Sequence, residues 1–200
     1  ERRLALLRNA MQSCDRVLVH GYKALNTLKG LGVVANAAVI PHGVIEWSGY
    51  DEVVQRPFFD AGGGGELLIA SFGFLLPQKG LEQLVDAIAL LRQRGVQVRL
   101  KMLNAEYPAQ VSKHAKNELS TKIEALGLSE VVEIDTTYYS DEDCLYLLSE
   151  AHLIVFAYQD TGESSSAAVR HAVASGVPIA ATPVPIFNDV QDAVITLSGV

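Results

Sequence analysis

Glu163-Ser-Ser-Ser166 and Lys79-Gly80 are the two stretches of this 200-residue chain whose residue types invite chemistry. The first sits where an apolar run gives way to helix formers, which reads as a junction of strand, loop and helix. Ser164, Ser165 and Ser166 are good N-cap and first-turn residues. The free N–H groups and positive end of the helix after them suit an anion such as phosphate. Glu163 beside such a site would face whatever the phosphate carries. Its plainer role is an acid at a helix N-terminus, stabilised there by about 0.3–1 kcal/mol through the helix dipole. Lys79 stands in a loop between a strand and a helix, and by spacing alone it is a solvated surface lysine. His171, two turns into the helix after the serines, could hydrogen-bond a hydroxyl or be an ordinary half-buried histidine.

Other candidate constellations are weaker. Asp141-Glu-Asp143 has the D-x-D spacing of a metal site, but it follows Ser140 at the start of a helical pattern. There the acids cap the helix and complement its dipole, and a wider set of oxygen ligands is lacking. Gly62-Gly-Gly-Gly65 precedes a strand and is followed by Glu66, so it lacks the setting of a phosphate loop and reads as a linker. His20, His42, His114 and His152 are scattered, without zinc-ligand spacing.

These residues need elements to position them. Leu153 to Tyr158 is an apolar run of strand length, and Gly176 followed by Pro178 closes the helix that begins near Ala167. From Glu66 onward the alternation is regular. Strands are expected at 67–71, 96–103, 131–134, 153–158, 178–182 and 194–197. Helices are expected from Leu81 to near Gly95, between Ala109 and Leu126, and from Ser140. A short helical piece falls at 186–192. The loop after the first of these strands runs from Phe72 to Gly80. Upstream, Leu4, Leu6, Leu7, Ala10 and Met11 give a helix an apolar face. Strands at 16–19 and 37–40 flank a helix over 22–31. Strands alternating with helices indicate an α/β fold, a doubly wound parallel sheet of Rossmann-like form. In such sheets, loops at the carboxyl ends of strands hold ligands.

Composition narrows the partners. The net charge of -7 argues against a broad nucleic-acid surface. Only Cys14 and Cys144 are present, far apart, which suits a reducing, cytoplasmic setting without a disulfide. No apolar run approaches the roughly 18 residues of a spanning helix. The first residues lack a signal core and read as mid-helix, so the chain is expected to be a fragment.

Taken together, four segments resemble the family 4 retaining glycosyltransferases of GT-B architecture. Pro41-His-Gly-Val44 resembles the segment before that family's interdomain crossover. Ser71-Phe-Gly73 through Pro77-Gln-Lys-Gly80 resembles its first strand and loop, with the Lys-Gly pair at Lys79-Gly80. Ala151 to Phe156 resembles the strand before its donor loop. Glu163 to His171, with Ala172-Val-Ala-Ser-Gly-Val-Pro178, resembles its E-x7-E motif and helix end. Three positions depart from the pattern. Phe74 stands where the family has a phosphate-binding Arg, His171 where it has the second Glu, and Ser164-Ser-Ser166 where Gly-Phe-Gly is common.

The resemblance implies the end of an N-terminal domain at 1–45, a crossover at 46–65 and a nucleotide-sugar-binding domain at 66–200. It implies a nucleoside diphosphate sugar as donor partner, an undetermined acceptor, and retention of configuration. Lys79 and Glu163 would be catalytic. Gly73, Phe74, Lys79, Tyr158, Ser164, Ser165, Ser166 and His171 would hold the donor. Lys79 would stabilise the departing diphosphate, Glu163 would orient the sugar, and neither cofactor nor metal is expected. Any peripheral membrane association would run through the remainder of the N-terminal domain, which also holds the acceptor. The fragment alone is therefore expected to be inactive. A nucleotide-sugar epimerase of the same architecture and a non-catalytic domain that kept the fold are the alternatives. Phe74 and His171 keep the latter open.

Overall fold

The computed structural model describes residues 2–55, 65–163 and 165–198. Its centre is a six-stranded, wholly parallel sheet: β3 (Leu67–Phe74), β4 (Val98–Ala105), β5 (Val132–Asp135), β6 (Leu153–Phe156), β7 (Ile179–Ala181) and β8 (Ile195–Thr196). The strand order β5-β4-β3-β6-β7-β8 reverses direction between β3 and β6. The helices α4 (Leu81–Gln93), α5 (Gln110–Ala125), α6 (Asp141–Ser149) and α7 (Ala167–Ser175) lie in the crossovers. This is the doubly wound, Rossmann-like α/β fold. A separate parallel pair, β1 (Val17–Val19) with β2 (Ala37–Val39), belongs to the upstream segment with α1 (Arg2–Gln12) and α2 (Tyr22–Gly30).

Alternation along the central strands builds two cores. Ile69, Leu100, Met102 and Val155 face one layer, where Leu84, Val85 and Ile88 of α4 and Leu119 and Ile123 of α5 cover them. Ala70, Leu103, Ile154 and Phe156 face the other, packed against Leu148 of α6 and Val169 and Ala172 of α7. A parallel sheet covered on both faces has no wet side, which is why these strands read as continuous apolar runs.

The structure moves several expected boundaries. β3 continues to Phe74, because Phe72, Gly73 and Phe74 pair with Leu103, Asn104 and Ala105 of β4 rather than opening the loop. Phe74 thus stands at a strand end. β6 stops at Phe156, so Ala157 and Tyr158 leave the ladder and turn over its carboxyl end. The expected helical piece over 186–192 is two short 3-10 turns, Pro185–Phe187 and Gln191–Ala193.

Within 46–55, where no period was evident, Tyr50–Val54 forms a short helix, α3, with Val53 buried in the second core. Residues 56–64, including Pro57 and Gly62 to Gly64 of the linker, lie outside the described residues. Of the apolar face expected on α1, Leu4, Leu6 and Leu7 are all more than half exposed and Met11 is partly buried.

Candidate active site

A cleft of about 690 Å³ opens at the carboxyl ends of β3 and β6. It lies where the strand order reverses, the place at which open α/β sheets separate their loops and bind ligands. Two loops frame it, one from β3 to α4 and one from β6 to α7. They are tied together where the Gln159 N–H donates to the Gln78 carbonyl at 2.9 Å. Gly80 permits the close approach. It has a left-handed backbone (φ 66°), and a Cβ there would stand 1.7 Å from the Ala157 carbonyl oxygen. The Lys79-Gly80 pair therefore has a physical reason. The glycine lets the two loops touch, and the touch aims the lysine.

Lys79 is buried, with its ammonium 4.0 Å above the Tyr158 ring centre and 3.4 Å from Glu163 Oε2. Burial lowers its pKa, while the charge and hydrogen bond of Glu163 act in the opposite direction. The Tyr158 face stabilises the ammonium as a cation–π partner. The Glu163 side chain is half exposed, so the carboxylate of this ion pair reaches solvent while the ammonium does not. The Tyr158 hydroxyl is buried, and burial raises its pKa far above the ordinary phenol value, with Ser166 acting in the opposite direction.

Beside the Tyr158 hydroxyl, Gly73 (φ 125°) leaves room that a side chain would fill. A Cβ there would meet Ala168 Cβ at 3.3 Å and Tyr158 Oη at 3.4 Å. Gly73, Lys79, Tyr158 and Glu163 all line the cleft.

The serine run divides its work differently from expectation. α7 begins at Ala167, and Ser166 is its N-cap, accepting from the Val169 N–H at 3.4 Å. Glu163 therefore lies in the loop three residues before the cap, not in a first helical turn. The Glu163 N–H donates to Thr161 Oγ1, and the Gly162 N–H to Asp160 Oδ1, which shape the loop locally. The Ser165 hydroxyl donates to Asp189 at 3.0 Å, and Asp189 also pairs with the buried Arg170. Ser165 and Ser166 line the cleft, while Ser164 lies outside the described residues.

His171 lines the cleft one α7 turn beyond Ala167. Its Nε2 lies 2.9 Å from Asp141 Oδ1, and its ring packs against Phe72 at 5.3 Å. Asp141 is the first residue of α6, whose cap is Ser140, which accepts from the Asp143 N–H at 3.2 Å. A carboxylate thus reaches the cleft wall from a different helix. Phe74 also lines the cleft, at 38% exposure, with its ring among aromatic neighbours. No group of three or more His, Cys, Asp or Glu residues forms a metal-ligand set among the described residues.

Sequence reasoning did not single out His42, Tyr107, Tyr138, Asp141 or Cys144 as cleft residues, yet all five line it. His42 stacks on His20 with ring centres 3.5 Å apart, and burial, followed by the charges of His20 and Arg170, lowers its pKa. Tyr107, Tyr138 and Asp141 follow the carboxyl ends of β4 and β5. The rule that pointed to Glu163 could have found them, had it been applied to every strand.

The family comparison agrees with this geometry. The model for glycosyl transferases group 1 matches residues 58–193. No curated protein sequence matches the chain. Among solved structures, sucrose-phosphate synthase from Thermosynechococcus elongatus superposes with a TM-score of 0.69 at 17% identity, over 94% of this chain and 45% of its own. Anabaena HepE, solved with UDP and glucose, gives 0.70 at 19% identity, over 92% and 48%. A UDP-forming α,α-trehalose-phosphate synthase from Burkholderia xenovorans, solved with glucose-6-phosphate, gives 0.73 at 15% identity, over 96% and 52%. The chain therefore spans about half the length of these structures. Among the described residues, no helix is long and apolar enough to cross a membrane. With the family model covering most of the chain, and a cleft at the switch point of its sheet, this protein belongs to the group 1 glycosyl transferases of GT-B fold.

Proposed function

We propose that this chain binds the donor in a glycosyltransferase that moves a sugar from a nucleoside diphosphate sugar to a glycan, lipid or small-molecule acceptor, with retention of configuration. The observation that carries the reading is the pairing of Lys79 and Glu163, 3.4 Å apart, in a cleft at the carboxyl ends of β3 and β6. As the bond to the sugar breaks, negative charge collects on the diphosphate. A buried ammonium fixed on an aromatic face, with the N-terminus of α7 nearby, stabilises that charge without reorganising at the moment of reaction.

Glu163 accepts hydrogen bonds from sugar hydroxyls and holds the sugar against the leaving group. Gly73 gives the phosphates close backbone access, and Tyr158 supports Lys79 from below. Ser165 and Ser166 line the approach to α7. His171, held by Asp141, meets the ribose hydroxyls. The residues in the cleft suit a reaction that needs neither metal nor cofactor. The free thiols of Cys14 and Cys144 suit a cytoplasmic setting.

The test compares UDP with UDP-glucose by calorimetry. Lys79→Ala is expected to weaken both ligands by about ten- to a hundredfold, the loss of one charge-assisted hydrogen bond. Glu163→Gln is expected to weaken UDP-glucose alone, because plain UDP lacks the hydroxyls that Glu163 would read. Folding of each variant is checked by circular dichroism. Equal loss of both ligands in folded Glu163→Gln would assign that residue to holding the loop. No change with either variant would favour a non-catalytic domain.

A further inference from the structure

The approach to α7 is held by a carboxylate to which the donor reading gives no role. Asp189, between the two 3-10 turns that follow β7, accepts with one oxygen, Oδ2, from both the Ser165 hydroxyl at 3.0 Å and Arg170 Nη2. Ser165 lines the cleft one residue before the α7 cap, and its single hydroxyl proton goes to Asp189. That hydroxyl has no proton left for a phosphate oxygen. An anion at this end of the cleft takes its hydrogen bonds from the free N–H groups that open α7. It then lies about 6 Å from the Asp189 carboxylate, two hydrogen-bond lengths of about 3 Å each.

An unopposed carboxylate at that distance would repel a diphosphate, and Arg170 supplies the opposing charge. Its side chain is 6% exposed against 24% for Asp189. Helix side chains lean toward the N-terminus, which carries the guanidinium over the first turn of α7. Among the described residues, Arg170 Nε and Nη1 are buried without a hydrogen-bond partner, and Nη2 is spent on Asp189. Stability alone is a weak reason for such a pair, since well-packed apolar side chains in its place are often as stable or more so. Its two charges are felt in the cleft. At His42, on the cleft wall, burial and then His20 lower the pKa, Arg170 lowers it further and Asp189 raises it.

We propose that Arg170 is a positioning residue for the donor's diphosphate: it cancels the charge of Asp189, so that Asp189 fixes Ser165 while the anion still approaches the N-terminus of α7. The inference rests on the donor reading above, and adds how the site keeps a carboxylate beside its anion. Arg170 acts through Asp189 rather than on the phosphates. An apolar side chain can therefore replace it only when Asp189 is neutralised as well.

The experiment measures, by calorimetry, the binding of UDP and inorganic pyrophosphate to the wild-type chain, Arg170→Met, Asp189→Asn and the double variant, with circular dichroism as the fold control. Arg170→Met leaves the carboxylate unopposed and is expected to weaken both ligands by about tenfold or more. Asp189→Asn keeps an oxygen that accepts from Ser165, loses the negative charge, and is expected to tighten pyrophosphate by about threefold or more. The double variant is expected to bind both ligands within about threefold of wild type. A loop merely propped by Arg170 would not be rescued in this way. Unchanged pyrophosphate binding in folded Arg170→Met refutes the proposal, as does a double variant as weak as Arg170→Met. If Arg170→Met does not fold, the other two variants decide: pyrophosphate unchanged or weaker in Asp189→Asn, or about tenfold weaker in the double variant, refutes it. These refutations leave the donor reading standing. If neither UDP nor pyrophosphate binds the wild type, the donor reading fails and this inference with it.

Discussion

Replacing Gly80 by alanine separates the backbone cost of the Lys79-Gly80 pair from its steric cost, because the fold supplies a matched control. Gly80 and Gly127 have the same φ of 66°. A Cβ at Gly127 meets nothing within 4 Å, whereas at Gly80 it would overlap the Ala157 carbonyl oxygen at 1.7 Å. The left-handed conformation costs a non-glycine residue about 1–2 kcal/mol. Reduced freedom of the unfolded chain returns about 0.4–1 kcal/mol. Gly127→Ala is therefore expected to destabilise by about 1.6 kcal/mol or less. Gly80→Ala carries the same backbone term and must also push the β6–α7 loop away from the β3–α4 loop. Overpacking of that kind costs about 1–3 kcal/mol, giving about 1–5 kcal/mol in total.

Urea unfolding of the two variants, compared at a common m-value, measures the difference directly. The same shift would move Lys79 relative to Tyr158 and Glu163, so Gly80→Ala should also weaken UDP binding while Gly127→Ala leaves it intact. Equal stability of the two variants, within about 0.5 kcal/mol, would refute the claim that Gly80 is set by its approach to Ala157.

Further outcomes follow from the same cleft. Lys79 is held charged at a cost, because burial lowers its pKa below the ordinary 10.5. The unfolded chain then binds the extra proton between the lowered value and 10.5, so wild-type stability rises with pH across that window. Lys79→Met is expected to be more stable than wild type at neutral pH, with the gap closing toward pH 10.5, while UDP binding weakens by about ten- to a hundredfold. Thermal unfolding between pH 7 and 10.5 checks this, and a gap that does not narrow with pH would contradict it. Phe74→Arg adds a cation to the wall and is expected to tighten inorganic pyrophosphate by about tenfold or more, measured by calorimetry. The Cys144 thiol is pushed up to about 11 by burial, with Asp141 and Asp143 adding to the effect. At pH 8 about one Cys144 in a thousand is thiolate, so a thiol reagent should modify exposed Cys14 quickly and Cys144 at least about a hundredfold more slowly.

The sequence by itself determined the layers and the place of the cleft. Apolar runs too short for core helices, alternating with periodic helical segments, specify parallel strands covered on both faces. The β6–α7 junction follows from Leu153–Phe156, the cap at Ser166 and the stop at Gly176. These signals are local, since each depends on residues within a turn or two.

Only the tertiary structure decided how residues distant in the chain meet. Asp141 and His171 are 30 residues apart, and nothing in the α6 cap signal says that its first acid will touch α7. Phe74 was legible as a missing charge. Its membership of an aromatic wall with Tyr107 and Tyr138 appears only when β3, β4 and β5 are laid side by side. Lys79 alone was an ordinary surface lysine. The contact of Gly80 with Ala157, 77 positions later, turns it inward over Tyr158 and toward Glu163. Strand order is the physical reason. It is settled by which hydrophobic faces pack together over the whole chain, and that order, not spacing in the sequence, chooses the neighbours of each loop.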